Sequence, residues 1–330
     1  MLKAAVIGLG NIGFLFDLDP LREETWNHVS AYTKCKKTEL VGVVDVDIEK
    51  INIFSQHNNT PAFQSIEELM TDTTVDIVSI CTPTKEHYAV FNKLIEYPIK
   101  AILCEKPLAD NIYQAKEMVR LCKENNVVMA VNHVRRWASH YQYAKSMIEN
   151  GKIGKVKAVH AFYPGQLFNM GTHLFDVVRM LIQKNPGVLS GISFDVEARD
   201  PSVSGWIEFD KSIPCTVIST GKREDLIFEI DVVGDEGRIR VIENGRKIEW
   251  FIFAESNRLS GYRELSSRQI GPIQTKDRFV EVINDIASVI DGKKSETNCT
   301  EIDGFYSLAI SIAMLKSAKQ NGIPAKVEDF

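Results

Sequence analysis

Several absences narrow the field before any motif is read. The 330-residue chain has six cysteines (Cys35, Cys81, Cys104, Cys122, Cys215 and Cys299) but no C-x-x-C pair. That argues against a zinc ribbon and a dithiol redox centre. Cys81 and Cys104 fall in apolar runs, where a free thiol behaves as a small hydrophobe, so a reducing cytoplasm is expected and disulfides are not. The seven histidines show neither H-x-x-x-H nor H-E-x-x-H spacing, so no metal is expected. No apolar run approaches the roughly 20 residues of a membrane span. The stretch Met1–Gly8 is too short for a secretory h-region and reads as a first strand. A net charge of −5 supplies no overall basic field for nucleic acid or anionic lipid. Neither partner is expected.

What is present reads as a globular protein with a sizeable core. Hydrophobic content of 44% with 25% charged residues argues against disorder. The first half alternates short β-branched runs with longer amphipathic ones. Strands are expected at Lys3–Ile7, Glu39–Val44, Ile77–Cys81, Ala101–Cys104 and Val127–Val131, and helices at Ser65–Met70, Lys85–Glu96 and Ile112–Asn125. In the last of these Ala115, Met118, Val119 and Cys122 recur at helical spacing and mark a buried face. Such alternation predicts a doubly wound parallel sheet, with ligands at the carboxyl ends of its strands.

Beyond about residue 150 the pattern turns to consecutive strands: Lys155–Tyr163, Ser190–Glu197, Val203–Phe209, Pro214–Thr220, Leu226–Val233, Arg238–Ile242 and Lys247–Phe253. Asp235-Glu236-Gly237 and Asn244-Gly245 suit tight hairpins, so this sheet should be large and mostly antiparallel. Helices are expected at Gly171–Gln183, Lys276–Ile290 and Asp303–Gln320. The division follows: a nucleotide-binding domain over 1–134, and an α+β domain for substrate binding and oligomerisation over 135–330. The final helix is a candidate to pack back on the first domain.

Gly8-Leu9-Gly10-Asn11-Ile12-Gly13 fits G-x-G-x-x-G, directly after a strand and before a helix. Glycines there permit a tight turn and bring backbone N–H groups against a pyrophosphate. Asp45 closes the second strand, where a carboxylate accepts from ribose hydroxyls and repels a 2′-phosphate; Asp47 is the alternative reader. No arginine follows at Val46, so NAD is favoured over NADP. The spacing from Gly13 to Asp45 is 32 residues, against about 20 usual for this arrangement. The excess is assigned to Phe14–Asn27, which carries Asp17, Asp19, Pro20, Glu23, Glu24 and Trp26. This insert reads either as a lid or substrate-contacting loop, or as a surface loop or subunit contact.

Cys104-Glu105-Lys106-Pro107 follows the fourth strand at the ligand-binding edge. Oxidation of an alcohol by NAD needs a base for the hydroxyl proton, and the reverse reaction needs an acid. A lysine serves both when desolvation and a nearby cation bring its pKa from about 10.4 towards 7–8. Glu105 would orient or balance it.

At this point a resemblance emerges. Gly8–Gly13, Thr82-Pro83 with His87, Glu105-Lys106-Pro107, Gly171-Thr172-His173 with Asp176, and Asp303-Gly304 resemble, in order and spacing, the Gfo/Idh/MocA family of glucose–fructose oxidoreductase and inositol 2-dehydrogenase. The resemblance runs over nearly the whole chain. It implies a Rossmann domain, a C-terminal domain with a large open sheet, hydride transfer on a sugar or cyclitol, and a homodimer or homotetramer. It further implies Lys106 as the catalytic lysine, His173 as a substrate-binding or proton-relaying histidine, and Thr82, Pro83 and His87 near the cofactor. Many members carry an aspartate four residues before the histidine; here that place is Asn169, an amide that orients a hydroxyl but takes up no proton at neutral pH.

Further expected substrate contacts are Asn132 at the end of the fifth strand, Arg136 as an anion ligand, Tyr163 ahead of Pro164-Gly165, and Asp176. Arg136 reads equally as part of an ion-paired helix start. His28, His57, His140 and His160 are read as structural or exposed. The function expected is an NAD-dependent dehydrogenase or reductase of a sugar, sugar acid or nucleotide-linked sugar. A catalytically silent dinucleotide sensor and an NAD-assisted glycoside-cleaving enzyme are the alternatives.

Overall fold

The computed structural model describes residues 1–22 and 24–330, so Glu23 of the insert lies outside the described residues. In chain order the elements of the first part are β1 (Leu2–Ile7), α1 (His28–Lys34), β2 (Thr38–Val44), α2 (Ile48–His57), β3 (Ala62–Phe63), α3 (Ile66–Asp72), β4 (Ile77–Ile80), α4 (Thr84–Leu94), β5 (Ala101–Cys104), α5 (Ile112–Asn125) and β6 (Val128–Val131). Then come α6 (Ser139–Glu149), β7 (Val156–Tyr163), α7 (Thr172–Ile182), β8 (Pro186–Ile192), β9 (Ser204–Phe209), β10 (Ile213–Ser219), β11 (Glu229–Gly234), β12 (Gly237–Ile242), β13 (Lys247–Glu255), β14 (Arg263–Arg268), α8 (Arg278–Ile290), α9 (Glu301–Lys319) and β15 (Ala325–Lys326). No helix among the described residues is long and apolar enough to cross a membrane.

Two compact units emerge, one of Met1–Trp137 with Lys276–Phe305 and Phe330, the other of Ala138–Thr275 with Tyr306–Asp329. This division by contacts and a single cut at residue 134 differ over one segment. Residues 276–305, with α8, belong to the first unit, because α8 buries Phe279, Val282, Ile283 and Ile286 while packing against α1 and the short helical turn Val134–Trp137. Most of the final helix belongs to the second unit instead.

In the first unit six parallel strands run in the order β3-β2-β1-β4-β5-β6. This is the doubly wound order, whose direction of winding reverses between β1 and β4. Strands β4 and β5 are buried along their whole length, as expected of strands covered on both faces. The second unit holds nine strands in the order β14-β13-β12-β11-β7-β10-β9-β8-β15. All its pairs are antiparallel except β7 with β10. Asp235 and Glu236 make the turn between β11 and β12, and Asn244 and Gly245 turn with positive φ between β12 and β13.

Helices α2 and α6 and strands β3, β14 and β15 have no counterpart among the elements expected from the sequence, and the helix expected after the glycine loop begins only at His28, as α1. The strand expected at Ser190–Glu197 runs instead over Pro186–Ile192. Ser193 and Asp195 hydrogen-bond each other into a turn there, and Phe194 is fully exposed. A serine–aspartate turn thus outcompetes β-propensity.

Candidate active site

The glycine loop is shaped by contacts that admit no side chain at two of its three glycines. Gly8 has φ +100°, and a Cβ there would stand 2.8 Å from the Cys81 carbonyl; a Cβ on Gly13 would meet Gly8 O at 2.0 Å. Gly10 is different, since nothing lies within 4 Å of the place its Cβ would take. The turn thus leaves open the one face from which a phosphate would approach the backbone, which is the fit a dinucleotide requires. Asn11 is exposed and Ile12 half-buried beside it. Asp45 accepts from Leu9 N–H at 2.7 Å and from Asp47 N–H at 2.9 Å, with Lys50 Nζ 3.7 Å away. The end of β2 is thereby tied to the glycine loop.

The long spacing between the loop and Asp45 has a local cause. Phe14 and Phe16 N–H bond back to Gly10 and Asn11 in helical fashion, but Ile12 and Gly13 carbonyls accept from His28 and Val29. Donor and acceptor are sixteen residues apart where an uninterrupted helix has four. Twelve residues are therefore looped out of the first helix, and removing them reduces the spacing of 32 to 20. Asn27 closes the loop, donating to Phe14 O and accepting from Ser30 N–H as the cap of α1. Within the loop Arg22 stacks on Phe16 and Trp26, while Thr25 bonds Asp277 and Arg278 stacks on Trp26. The insert is docked on the start of α8.

Lys106 stands two residues past the end of β5 and is half-buried. Its neighbour Glu105 is buried and accepts from Asn132 Nδ2 at 2.6 Å and the His28 imidazole Nε2 at 2.8 Å. Burial alone would push this carboxyl up. The hydrogen bonds from His28 and Asn132, with the charge of Lys106, overcome it and hold Glu105 below the ordinary carboxylate range. An anion beside Lys106 favours the ammonium, which opposes the desolvation expected from the sequence. Behind Glu105, His28 contacts Ser79 Oγ, and Ser79 contacts the Tyr32 hydroxyl. Ser79 and Tyr32 carry no signal in the sequence; His28, expected to be structural or exposed, is buried at the start of α1, where the looped-out segment brings it to face β4.

Thr82 and Pro83 lead from β4 into α4. The Thr82 hydroxyl and Asn132 Oδ1 are buried with no hydrogen-bond partner, at the carboxyl ends of β4 and β6. Unpartnered buried acceptors are uncommon in folded proteins and suit a ligand that supplies donors. His87 does not share this availability. Its two nitrogens face Thr82 O at 2.9 Å and Pro107 O at 3.0 Å, so it clasps two loops together rather than reaching for a cofactor. Burial pushes its pKa down against these hydrogen bonds.

Arg136 takes the ion-paired form of its two expected roles. It is buried, pairs with Asp303 at 2.9 Å and donates to the Asn298 carbonyl at 2.7 Å, so its fork is satisfied within the protein.

In the second unit Leu167–Gly171 form a π-helical turn that runs into α7. Asp200 accepts from Phe168 N–H and Asn169 N–H, and the Asn169 amide donates to Gln166 Oε1 at 3.0 Å. His173 and Asp176 are buried in the first turns of α7. Tyr163, expected to contact substrate, is fully buried; its hydroxyl donates to Val203 O at 2.6 Å, and burial pushes its pKa up.

Comparison with known proteins converges with this geometry. The NAD-binding Rossmann model of an oxidoreductase family matches residues 2–133, and the C-terminal alpha/beta domain model of the same family matches residues 145–327. An uncharacterized oxidoreductase of Schizosaccharomyces pombe is 26% identical over 193 residues, 53% of this chain and 50% of that protein. The chain thus spans about half the length of the fission-yeast relatives it matches. A 1,5-anhydro-D-fructose reductase of Ensifer adhaerens is 24% identical over 316 residues, 88% of this chain and 91% of that one. An oxidoreductase from Agrobacterium radiobacter, solved in complex with NAD+, L-tartaric acid and magnesium, shares the fold at TM-score 0.78 and 18% identity, covering 99% of this chain and 98% of that one. The chain belongs to the Gfo/Idh/MocA oxidoreductase family, with its NAD-binding Rossmann fold and C-terminal alpha/beta domain.

Proposed function

We propose that the protein is an NAD-dependent dehydrogenase or reductase acting on a hydroxyl or keto carbon of a sugar, sugar acid or nucleotide-linked sugar. One observation carries this reading: a lysine beside a buried, ionised glutamate follows a parallel strand in the unit whose glycine loop is open to a phosphate at Gly10. Gly8, Gly10, Asn11, Ile12, Gly13 and Asp45 would hold the dinucleotide, with Thr82 and Pro83 bordering it. The nicotinamide supplies the two-electron chemistry when bound. Lys106 takes the proton from the substrate hydroxyl in oxidation and returns it in reduction. His173 assists, and Asn169 and Asp176 orient hydroxyls. The names of relatives support sugar chemistry, including a D-apiose dehydrogenase of Rhizobium rhizogenes.

The test is Lys106→Ala in a screen of sugars and cyclitols followed by NADH absorbance. NAD binding should persist while turnover falls about 10²- to 10⁴-fold. Full turnover in that variant would overturn the assignment. Asn169 favours a second reading, a dinucleotide sensor without turnover, which the same screen decides against on any sustained NADH production. Six reduced cysteines suit a cytoplasmic protein, and the family resemblance suggests a homodimer or homotetramer, which light scattering of the purified protein would test.

A further inference from the structure

The edge that carries Lys106 is backed by a chain of buried polar groups that the proposed reaction does not touch. His28, Tyr32 and Ser79 are fully excluded from solvent, and Glu105 and Asn132 nearly so. His28 and Tyr32, one helical turn apart, face a single hydroxyl: Ser79 Oγ lies 2.9 Å from His28 Nδ1 and 2.8 Å from the Tyr32 oxygen. Glu105 Oε1 lies 2.8 Å from the other imidazole nitrogen.

Donor roles follow by elimination. An ionised carboxylate only accepts, so His28 Nε2 carries the proton towards Glu105. With a single proton on the ring, His28 Nδ1 accepts from the Ser79 hydroxyl, whose oxygen accepts from the Tyr32 hydroxyl. Asn132 Nδ2 donates to the same carboxylate oxygen, and the Lys106 backbone N–H reaches the other at 3.3 Å. Other titratable groups facing Glu105 are Cys81 and Cys104, kept as neutral thiols by burial, and His87, kept neutral by burial. Lys106 supplies positive charge against it.

We infer that His28 is a positioning residue, holding Glu105 in one rotamer as an anion through its Nε2–H bond, and that this anion sets the protonation balance of Lys106. The consequence for turnover rests on the reading of Lys106 as the acid–base group; the coupling itself does not. Without the His28 donor, burial of Glu105 is less opposed and the carboxyl takes up a proton. Lys106 then loses its neighbouring anion and releases its own proton more readily.

The test follows the Lys106 amine directly. Protein labelled with ε-¹³C-lysine and saturated with NAD+ is titrated by NMR, the Lys106 signal being the one absent from Lys106→Ala. His28→Leu should lower the Lys106 midpoint by about one pH unit, and Glu105→Gln by a similar amount. The double variant should shift no further, since two changes acting through one carboxylate are not additive. His28→Gln keeps an N–H donor within reach and should restore most of the wild-type midpoint. Ser79→Ala frees the imidazole to change tautomer and should produce a smaller shift in the same direction. It decides the question if His28→Leu does not fold. An unchanged midpoint in folded His28→Leu, or in Ser79→Ala where the leucine variant is unfolded, overturns the inference, as does additivity with Glu105→Gln. Full turnover in Lys106→Ala would instead overturn the assignment of Lys106 and leave the coupling standing.

Discussion

Two buried charge clusters lie in the first compact unit, and they differ in what they leave unfilled. Around Arg136, the guanidinium meets Asp303 and the Asn298 carbonyl, while Asp303 also accepts from Thr300 N–H. That cluster staples the segment after β6 to the head of α9, with the protein's own donors meeting its own acceptors. Around Glu105, the carboxylate is equally well bonded, yet Asn132 Oδ1 beside it and the Thr82 hydroxyl at the neighbouring strand end are buried without partners. Both clusters coincide with segments that resemble family motifs. They part in their hydrogen bonds: the first is closed on itself as a staple, and the second keeps buried polar atoms unbonded, as a ligand site does.

That contrast can be broken experimentally. The largest effect expected is on Arg136. Arg136→Ala leaves Asp303 without its ion-pair partner and should cost about 3–5 kcal/mol of unfolding free energy in urea. The folded fraction should bind NAD as the wild type does; a selective loss of substrate affinity at unchanged stability would return Arg136 to the ligand set.

Next come two of the three glycines of the loop. Gly13→Ala drives a methyl into Gly8 O and should destabilise the domain by at least about 1–3 kcal/mol, lowering the melting temperature. Gly10→Ala meets no protein atom, so stability should hold while NAD affinity, read by calorimetry, falls roughly tenfold through lost close approach. Equal affinities for wild type and Gly10→Ala would place the pyrophosphate elsewhere.

Acid should weaken the protein through the loops that frame the strand edge. The folded state holds Glu105 below its ordinary range, so its contribution is present above that range and lost as pH falls through the folded value. The pKa of His87 is depressed by burial, so below the ordinary imidazole range the unfolded chain takes up a proton that the folded chain resists. Both act in one direction. Urea midpoints should fall from pH 7.5 to 5 through His87, less so in His87→Gln, and fall further below about pH 4.5 as Glu105 takes up its proton.

The smallest effect is expected at Tyr163. Tyr163→Phe removes both buried hydrogen bonds between the tyrosine hydroxyl and the Val203 backbone and should cost about 1–2 kcal/mol with kinetic constants unchanged. A raised KM instead would revive the tyrosine as a substrate contact.

How much was legible beforehand depends on the range of the interaction concerned. Residue order alone determined the parallel and antiparallel halves, because period-two and helical spacing are local properties and Asn244-Gly245 carries its own turn chemistry. It determined the glycine loop for the same reason, since a strand, a tight turn and a helix start occupy one short stretch. Only the tertiary structure decided that Arg136 belongs to Asp303, 167 residues away, that Tyr163 belongs to Val203, and that His28 belongs to Glu105 across 77 residues. Nothing in a side chain's type announces which distant partner will satisfy it. The looped-out dozen residues join both lessons: their excess length could be counted in the chain, but folding was needed to reveal that they leave the first helix in register and deliver His28 to the buried carboxylate.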